Sequence, residues 1–249
     1  MTVPYDLYNY PQFWHSREYE DKAEKIALKK FLARIPKKDS IIDIGGGFGR
    51  LAEVYASVFK NCLLIDPSEK LLNIAKKNLK EFKNIEFRKG IGENLLVEDA
   101  TLDVVLMIRV VHHLPNPQKT FQEASRVLKP QGYLILEFAN KIHFRARLHA
   151  LIKRDFRFAS NLEPVDQRST ESIASGTIPF LNHHPKFIFQ LLEKAGFKVI
   201  SSLSVSNFRH PILKKIIPLR VLLFLESICH KPFAICHFGP SIFILAKKA

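Results

Sequence analysis

The sequence predicts an α/β fold: a seven-stranded, mostly parallel sheet with helices on both faces. Three observations predict it. Short apolar runs alternate with segments of helical period from residue 40 to residue 139. The run 40–44 is short and apolar, as a parallel strand buried on both faces is. The first run stops on three glycines, Gly45, Gly46 and Gly47, as a strand does when it turns into a helix beside a ligand.

The elements follow in order. Residues 18–33 carry Ala23, Ile26, Ala27 and Phe31 at helical spacing, and Pro36 ends that helix. Residues 40–44 form the first strand and 51–59 a helix. Residues 62–65 form the second strand, and Ser68 caps a helix reaching to about residue 82, with Leu71, Leu72, Ala75 and Leu79 on one face. Residues 84–88 are the third strand and 102–108 the fourth, with Asp103 at its mouth. A helix over 117–128 has proline at its start and Pro130-Gln131-Gly132 after its end. Residues 133–138 are the fifth strand. Residues 140–175 have no clean period and read as an insertion. Residues 184–195 form a helix ended by Gly196, 197–205 the sixth strand and 241–247 the seventh.

Composition excludes several classes. The chain has 249 residues and is 47% hydrophobic, enough for a substantial core and too apolar for disorder. Its three cysteines, Cys62, Cys229 and Cys236, make no disulfide framework, and reduced thiols suit a cytoplasmic location. No secretory signal is expected from the first ten residues, which lack a basic start and an apolar stretch. The most apolar segment, 216–228, is too short to span a membrane and contains Pro218, Arg220 and Glu226. Cys229-His230 and Cys236-His237 lack zinc-ligand spacing, so no metal is predicted. The net charge of +14 favours anionic partners without choosing among them.

The glycines carry the first chemical signal. They let the backbone approach a ligand closely, and the following helix start offers free N–H groups. Glycines stand at 45, 47 and 49; a dinucleotide fingerprint would need one at Arg50, which disfavours a hydride-transfer enzyme. The second signal is Asp66, 21 residues after Gly45, at the end of the second strand and followed by Pro67. A carboxylate there can accept hydrogen bonds from both hydroxyls of a ribose; it can also simply face a helix dipole.

Ile41-Ile42-Asp43-Ile44-Gly45-Gly46-Gly47-Phe48-Gly49-Arg50 resembles the first motif of class I S-adenosylmethionine-dependent methyltransferases of small-molecule type. Leu64-Ile65-Asp66-Pro67-Ser68 resembles the second, Gly90-Ile91-Gly92-Glu93-Asn94-Leu95 the third, and Leu102-Asp103-Val104-Val105 the fourth. Arg126 to Gly132 resembles the R-x-L-K-P-G-G segment before strand five. The likeness covers roughly residues 35–138, and 187–199 more loosely.

The resemblance implies one Rossmann-like domain with S-adenosylmethionine as cofactor. It would comprise an N-terminal helical lid (1–36), a cofactor-binding core (37–139), an insertion after strand five forming the acceptor region (140–183), and C-terminal strands with an apolar helix (184–249). Gly45, Gly46 and Gly47 would pass under the methionine part, Asp43 would hold its amine, and Asp66 with Pro67 would meet the ribose. Ile91, Gly92 and Glu93 would border the adenine, and Ile108 and Arg109 the methionine side. Two departures stand out. Isoleucine at 91 replaces a frequent aspartate and can only pack against the ring. Arg109 replaces a small or neutral residue; its guanidinium would bind the methionine carboxylate or an acidic substrate, or pair with Glu137 or Asp103.

His113, in a His112-His113 pair after strand four, is the candidate general base, with loop packing the alternative. Trp14 and Tyr19 would close the pocket and Arg17 would reach a carboxylate, unless they only bury the first helix. Residues 141–158 hold six cations and one acid with Phe144, Phe156 and Phe158 interleaved, a pattern that suits RNA, an anionic lipid surface, or a plain solvated face. The stretch 212–228 holds more apolar residues than one helix face can bury, so it is buried, interfacial, or lines an apolar pocket.

The function expected is methyl transfer to a small acceptor of hydrophobic or lipid-like character. The alternatives are an RNA methyltransferase using the basic surface, and a cofactor-binding homologue without catalysis. No obligate protein partner is inferred.

Overall fold

The computed structural model describes Asp6 and residues 9–249. Helices α1 (Tyr10–His15) and α2 (Glu18–Leu32) precede the sheet. Strand β1 (Ser40–Ile44), helix α3 (Ala52–Ala56), β2 (Asn61–Asp66), α4 (Glu69–Asn78) and β3 (Ile85–Lys89) form the first half. Then come β4 (Leu102–Met107), a 3-10 turn over Val111–His113, α5 (Pro117–Val127) and β5 (Leu128–Ala139). The predicted insertion holds α6 (Phe144–Ile152), β6 (Val165–Asp166), α7 (Thr170–Ala174) and β7 (Leu181–Asn182). The chain ends with α8 (Pro185–Lys194), β8 (Phe197–Val205), α9 (Pro211–Ile216), α10 (Leu219–Ile235) and β9 (Ser241–Lys248).

The sheet has seven strands in the order β3-β2-β1-β4-β5-β9-β8. Pairings among β1 to β5 are parallel, and β9 runs antiparallel to both β5 and β8. The predicted mostly parallel sheet is therefore present, with β6 and β7 as a separate two-stranded ribbon. Side chains alternate between faces. On β4, Val104 and Leu106 pack with α2, α3 and α4, whereas Val105 and Met107 pack with α5 and α8.

The chain leaves β1 outward through β2 and β3, then returns to place β4 on the other side of β1. That reversal opens a crevice beyond the carboxyl ends of β1 and β4, where ligands of open α/β sheets bind.

Several predicted helices are shorter than expected. α3 keeps only Ala52–Ala56 of the expected 51–59, and α4 ends at Asn78, not near residue 82. Asp103 lies at the opposite end of the sheet from the crevice. It accepts hydrogen bonds from the Ser40 N–H (3.0 Å) and Lys129 Nζ (2.8 Å), because it opens β4 instead of closing it.

Candidate active site

The crevice holds a cavity of about 330 Å³, a size normal for small-molecule sites. Its floor is the turn after β1. Gly45 and Gly47 sit at φ +70° and +56°, a left-handed conformation that side chains resist. A Cβ on Gly45 would stand 2.4 Å from Val110 Cγ2, so the turn packs directly on the loop after β4. At Gly47 the nearest atom to such a Cβ is Asp66 Oδ2, at 3.9 Å, so that side of the turn opens into the cavity.

Two carboxylates face this floor. Asp66 Oδ2 accepts the Gly47 N–H at 2.9 Å and Oδ1 accepts the Ser68 N–H at 2.8 Å. Asp43 Oδ2 accepts the Tyr55 hydroxyl at 3.0 Å. Burial pushes the Asp66 carboxyl up to about 6, against those two backbone bonds. Burial likewise pushes Asp43 up to about 7, opposed by the Tyr55 bond and reinforced by the Asp66 charge. Both groups therefore gain from any ligand that supplies hydrogen bonds or positive charge.

Helix α1 contributes to the cavity's wall. Tyr10 and Trp14 of α1 line it. Trp14 is held from below: the Arg50 guanidinium lies 3.6 Å from its ring centroid, and Arg50 donates to Asp21 Oδ1 (2.7 Å) and Glu24 Oε2 (2.5 Å) of α2. Glycine-rich turn, α2 and α1 are thus one cross-braced unit. Sequence reading missed Arg50 as a site residue, although it directly follows the glycine motif.

His113 also lines the cavity. Its Nδ1 lies 2.7 Å from the Pro179 carbonyl oxygen. A carbonyl only accepts, so Nδ1 carries the proton and the neutral ring's Nε2 is the basic nitrogen. Burial lowers the His113 pKa, with the Pro179 bond opposing and the Arg109 charge adding to it. The insertion reaches the site here: Phe180, next to β7, packs its ring 4.6 Å from that of His112.

Comparison with known proteins fits this geometry. A ubiquinone/menaquinone biosynthesis C-methyltransferase UbiE of Campylobacter jejuni is 30% identical over 199 residues, covering 73% of this chain and 80% of its own. The chain belongs to the S-adenosylmethionine-dependent methyltransferases. The family described as "Methyltransferase domain" matches residues 42–136 of this methyltransferase. A ubiquinone biosynthesis O-methyltransferase of Coxiella burnetii is 25% identical over 177 residues, covering 71% of this chain and 70% of its own. Among solved structures, a methyltransferase of Thermotoga maritima superposes with a TM-score of 0.64 at 23% identity, covering 99% of this chain and 98% of the other. At that identity the superposition shows the shared fold.

The methyltransferase's cofactor is S-adenosylmethionine, and the residues present fit it: a glycine floor open at Gly47, two buried carboxylates, and apolar walls. The structure places Asp43, Gly45, Gly46, Gly47, Asp66, Pro67, Ile91, Gly92, Glu93, Ile108 and Arg109 around the cavity, as the sequence suggested. Three further expectations need correction. Tyr19 does not close the pocket: it is buried in the fold, where its hydroxyl donates to Glu226 Oε2 (2.5 Å) and accepts the Phe208 N–H (2.9 Å). Arg17 is not a wall residue; its guanidinium lies over the Phe13 ring, 4.0 Å from the centroid. The Arg109 guanidinium is already occupied, donating to Glu24 Oε1 from Nε (2.8 Å) and from an Nη (2.5 Å). Only the Arg109 backbone N–H reaches Glu137, and Asp103 is not involved.

The basic run 141–158 contributes nothing to the cavity lining. Its first cation, Lys141, is buried, donating to the carbonyls of Asn161 and Glu163, both at 2.7 Å. Among the described residues no helix is long and apolar enough to cross a membrane.

Proposed function

We propose that the enzyme methylates a small, apolar, quinone-like acceptor. The observation that carries this reading is the character of the wall facing the acceptor side. Trp14, Ile108, Val110 and Leu114 line the cavity together with His113, and the Arg50 and Arg109 guanidinia that also line it are engaged by the Asp21 and Glu24 carboxylates of α2. Such a surface binds a flat apolar ring and offers one proton acceptor to a hydroxyl on it. The two quinone-pathway relatives support the same class.

Asp66 would take the ribose hydroxyls through carboxylate lone pairs not used by Gly47 and Ser68. Asp43 would hold the amine, the glycine backbone would lie under the methionine part, and Ile91, Gly92 and Glu93 would border the adenine. When bound, S-adenosylmethionine supplies a methyl group already activated by its sulfonium. The chain's own task is then to orient the acceptor, exclude water and hold a proton. Trp14, braced on Arg50, closes the outer side. His113 Nε2 accepts a proton from an acceptor hydroxyl, and the Pro179 carbonyl steadies the imidazolium that results.

The test is formation of demethylated cofactor from labelled S-adenosylmethionine with three acceptors: a short-chain hydroquinone, histamine and an RNA oligonucleotide. Turnover with the hydroquinone is expected, with His113→Ala lowering kcat by roughly 10²-fold or more. Turnover with histamine or RNA and none with the hydroquinone would refute the reading.

A further inference from the structure

The C-terminal apolar stretch lines no part of the cavity and buries only one side, with Leu222 in the core. It breaks at Pro218 into α9 and α10, and one side of each faces outward. On α10 that side carries Val221, Phe224, Ile228 and Ile235, spaced three, four and seven residues apart, which is one helical stripe. Phe224 is 65% exposed and Ile235 84%; on α9, Ile216 is 72% exposed. A second ridge adjoins it. Leu148, Leu151 and Ile152 of α6, and Phe156 after it, are also exposed. The start of α6 is fastened to the end of α10: Arg147 donates to the Cys236 carbonyl (2.9 Å), and the Phe144 ring stacks on Phe238 at 5.1 Å. Monomeric proteins rarely leave so many contiguous large apolar side chains in water without a use for them.

The charge around these ridges has one sign. From Asn207 to the end of the chain the only acid is Glu226, and it is fully buried. Arg209, Lys215, Arg220 and Lys231 lie on this stretch, and none has an ion-pair partner among the described residues. Around α6, Arg145, Lys153, Arg154 and Arg157 outnumber Asp155.

We propose that α9, α10 and α6 form a docking surface for an anionic lipid bilayer. Aliphatic side chains would enter the boundary between headgroups and acyl chains, while flanking cations meet lipid phosphates. A second copy of the chain would bring the same cations face to face. RNA would want stackable rings between the cations, whereas most of these side chains are isoleucine or leucine. No described helix can span a bilayer, so the contact is with its surface. The proposal stands whatever the acceptor proves to be.

Vesicle flotation of the full chain tests it. The protein should float with phosphatidylcholine vesicles containing phosphatidylglycerol at low salt, be released by high salt, and not float with phosphatidylcholine alone. Phe224→Glu and Ile216→Glu should each abolish flotation. Lys215→Gln and Arg220→Gln should each weaken it about fivefold. None of the four residues lines the cavity, so calorimetry with S-adenosylmethionine checks that each variant is folded; if the glutamate variants fail that check, the glutamine variants carry the test. Three results would overturn the proposal. The first is no flotation at low salt, or flotation that the folded variants leave unchanged. The second is a dimer in velocity sedimentation that Phe224→Glu dissociates, without vesicle binding. The third is RNA binding lost with the cations and insensitive to Phe224→Glu, again without flotation.

Discussion

Asp66→Asn should separate cofactor binding from folding. The carboxylate is buried and each oxygen accepts one backbone N–H, from Gly47 at 2.9 Å and Ser68 at 2.8 Å. An amide keeps the shape, but its NH₂ must face one of those N–H groups whichever way it turns, so one bond of ~1–2 kcal/mol is lost. Against that, a carboxyl held at about 6 instead of 3.8 destabilises the charged fold by ~3 kcal/mol above pH 6, and the amide removes this cost. The two terms nearly offset, so the variant should stay folded. Binding has no such compensation. Hydrogen bonds to a charged acceptor contribute ~1.5–3 kcal/mol, so S-adenosylmethionine should bind roughly 10- to 150-fold more weakly. Calorimetry with the cofactor and its demethylated product measures this directly. The pH dependence adds an independent sign. Asp66 and Asp43, raised to about 6 and about 7, must be charged to hold the ligand, so affinity should fall as pH drops through 7 and then 6. The same raised values make their own contribution to the stability of the ligand-free fold change oppositely: present at low pH and lost as pH rises through 6 and 7. A folded Asp66→Asn protein with unchanged affinity, or affinity that does not fall on acidification, would refute the assignment.

Three other expectations follow from named contacts. Gly47→Ala should cost only ~1–2 kcal/mol of stability, because its Cβ would meet open cavity, yet it should weaken cofactor binding; Gly46→Ala, whose Cβ would lie 2.5 Å from Leu64 Cγ, should destabilise the fold more, and thermal melts that rank the two the other way would contradict this. Glu24→Gln leaves the Arg50 and Arg109 guanidinia without their shared buried carboxylate and should cost about 3–5 kcal/mol; because Trp14 is the chain's only tryptophan and rests on Arg50, its fluorescence should shift in the same variant, and an unchanged melt and spectrum would argue against the brace. Six histidines, 112, 113, 143, 183, 184 and 237, have pKa values lowered by burial, His143 to about 4, so each contributes stability that is full above pH 6.5 and lost as pH falls through its folded value. They outnumber the buried acids acting in the opposite sense, so the melting temperature should drop between pH 7 and pH 5; a rise would show the acids dominate.

What the sequence determined by itself is the sheet and the glycine floor of the cavity. Apolar runs, Gly45, Gly47 and Asp66 are local signals: a strand end, a positive φ and an acid at the next strand's tip need only a few neighbouring residues to make sense. The sequence also carried the contradictory signs around α10, an apolar stretch with cations, without saying which side faced water. Tertiary structure alone decided the long polar side chains. Tyr19 meets Glu226 across 207 residues, and Arg109 meets Glu24 across 85, so neither partner lies within any motif. Tyr19 was drawn into the core because α2 packs on α10, where a buried carboxylate needs a hydroxyl donor. Arg17 was left outside the cavity because Phe13, on the neighbouring short helix, offers its ring first. Reach and charge make such residues candidates for many partners, and only the packing of whole helices selects one.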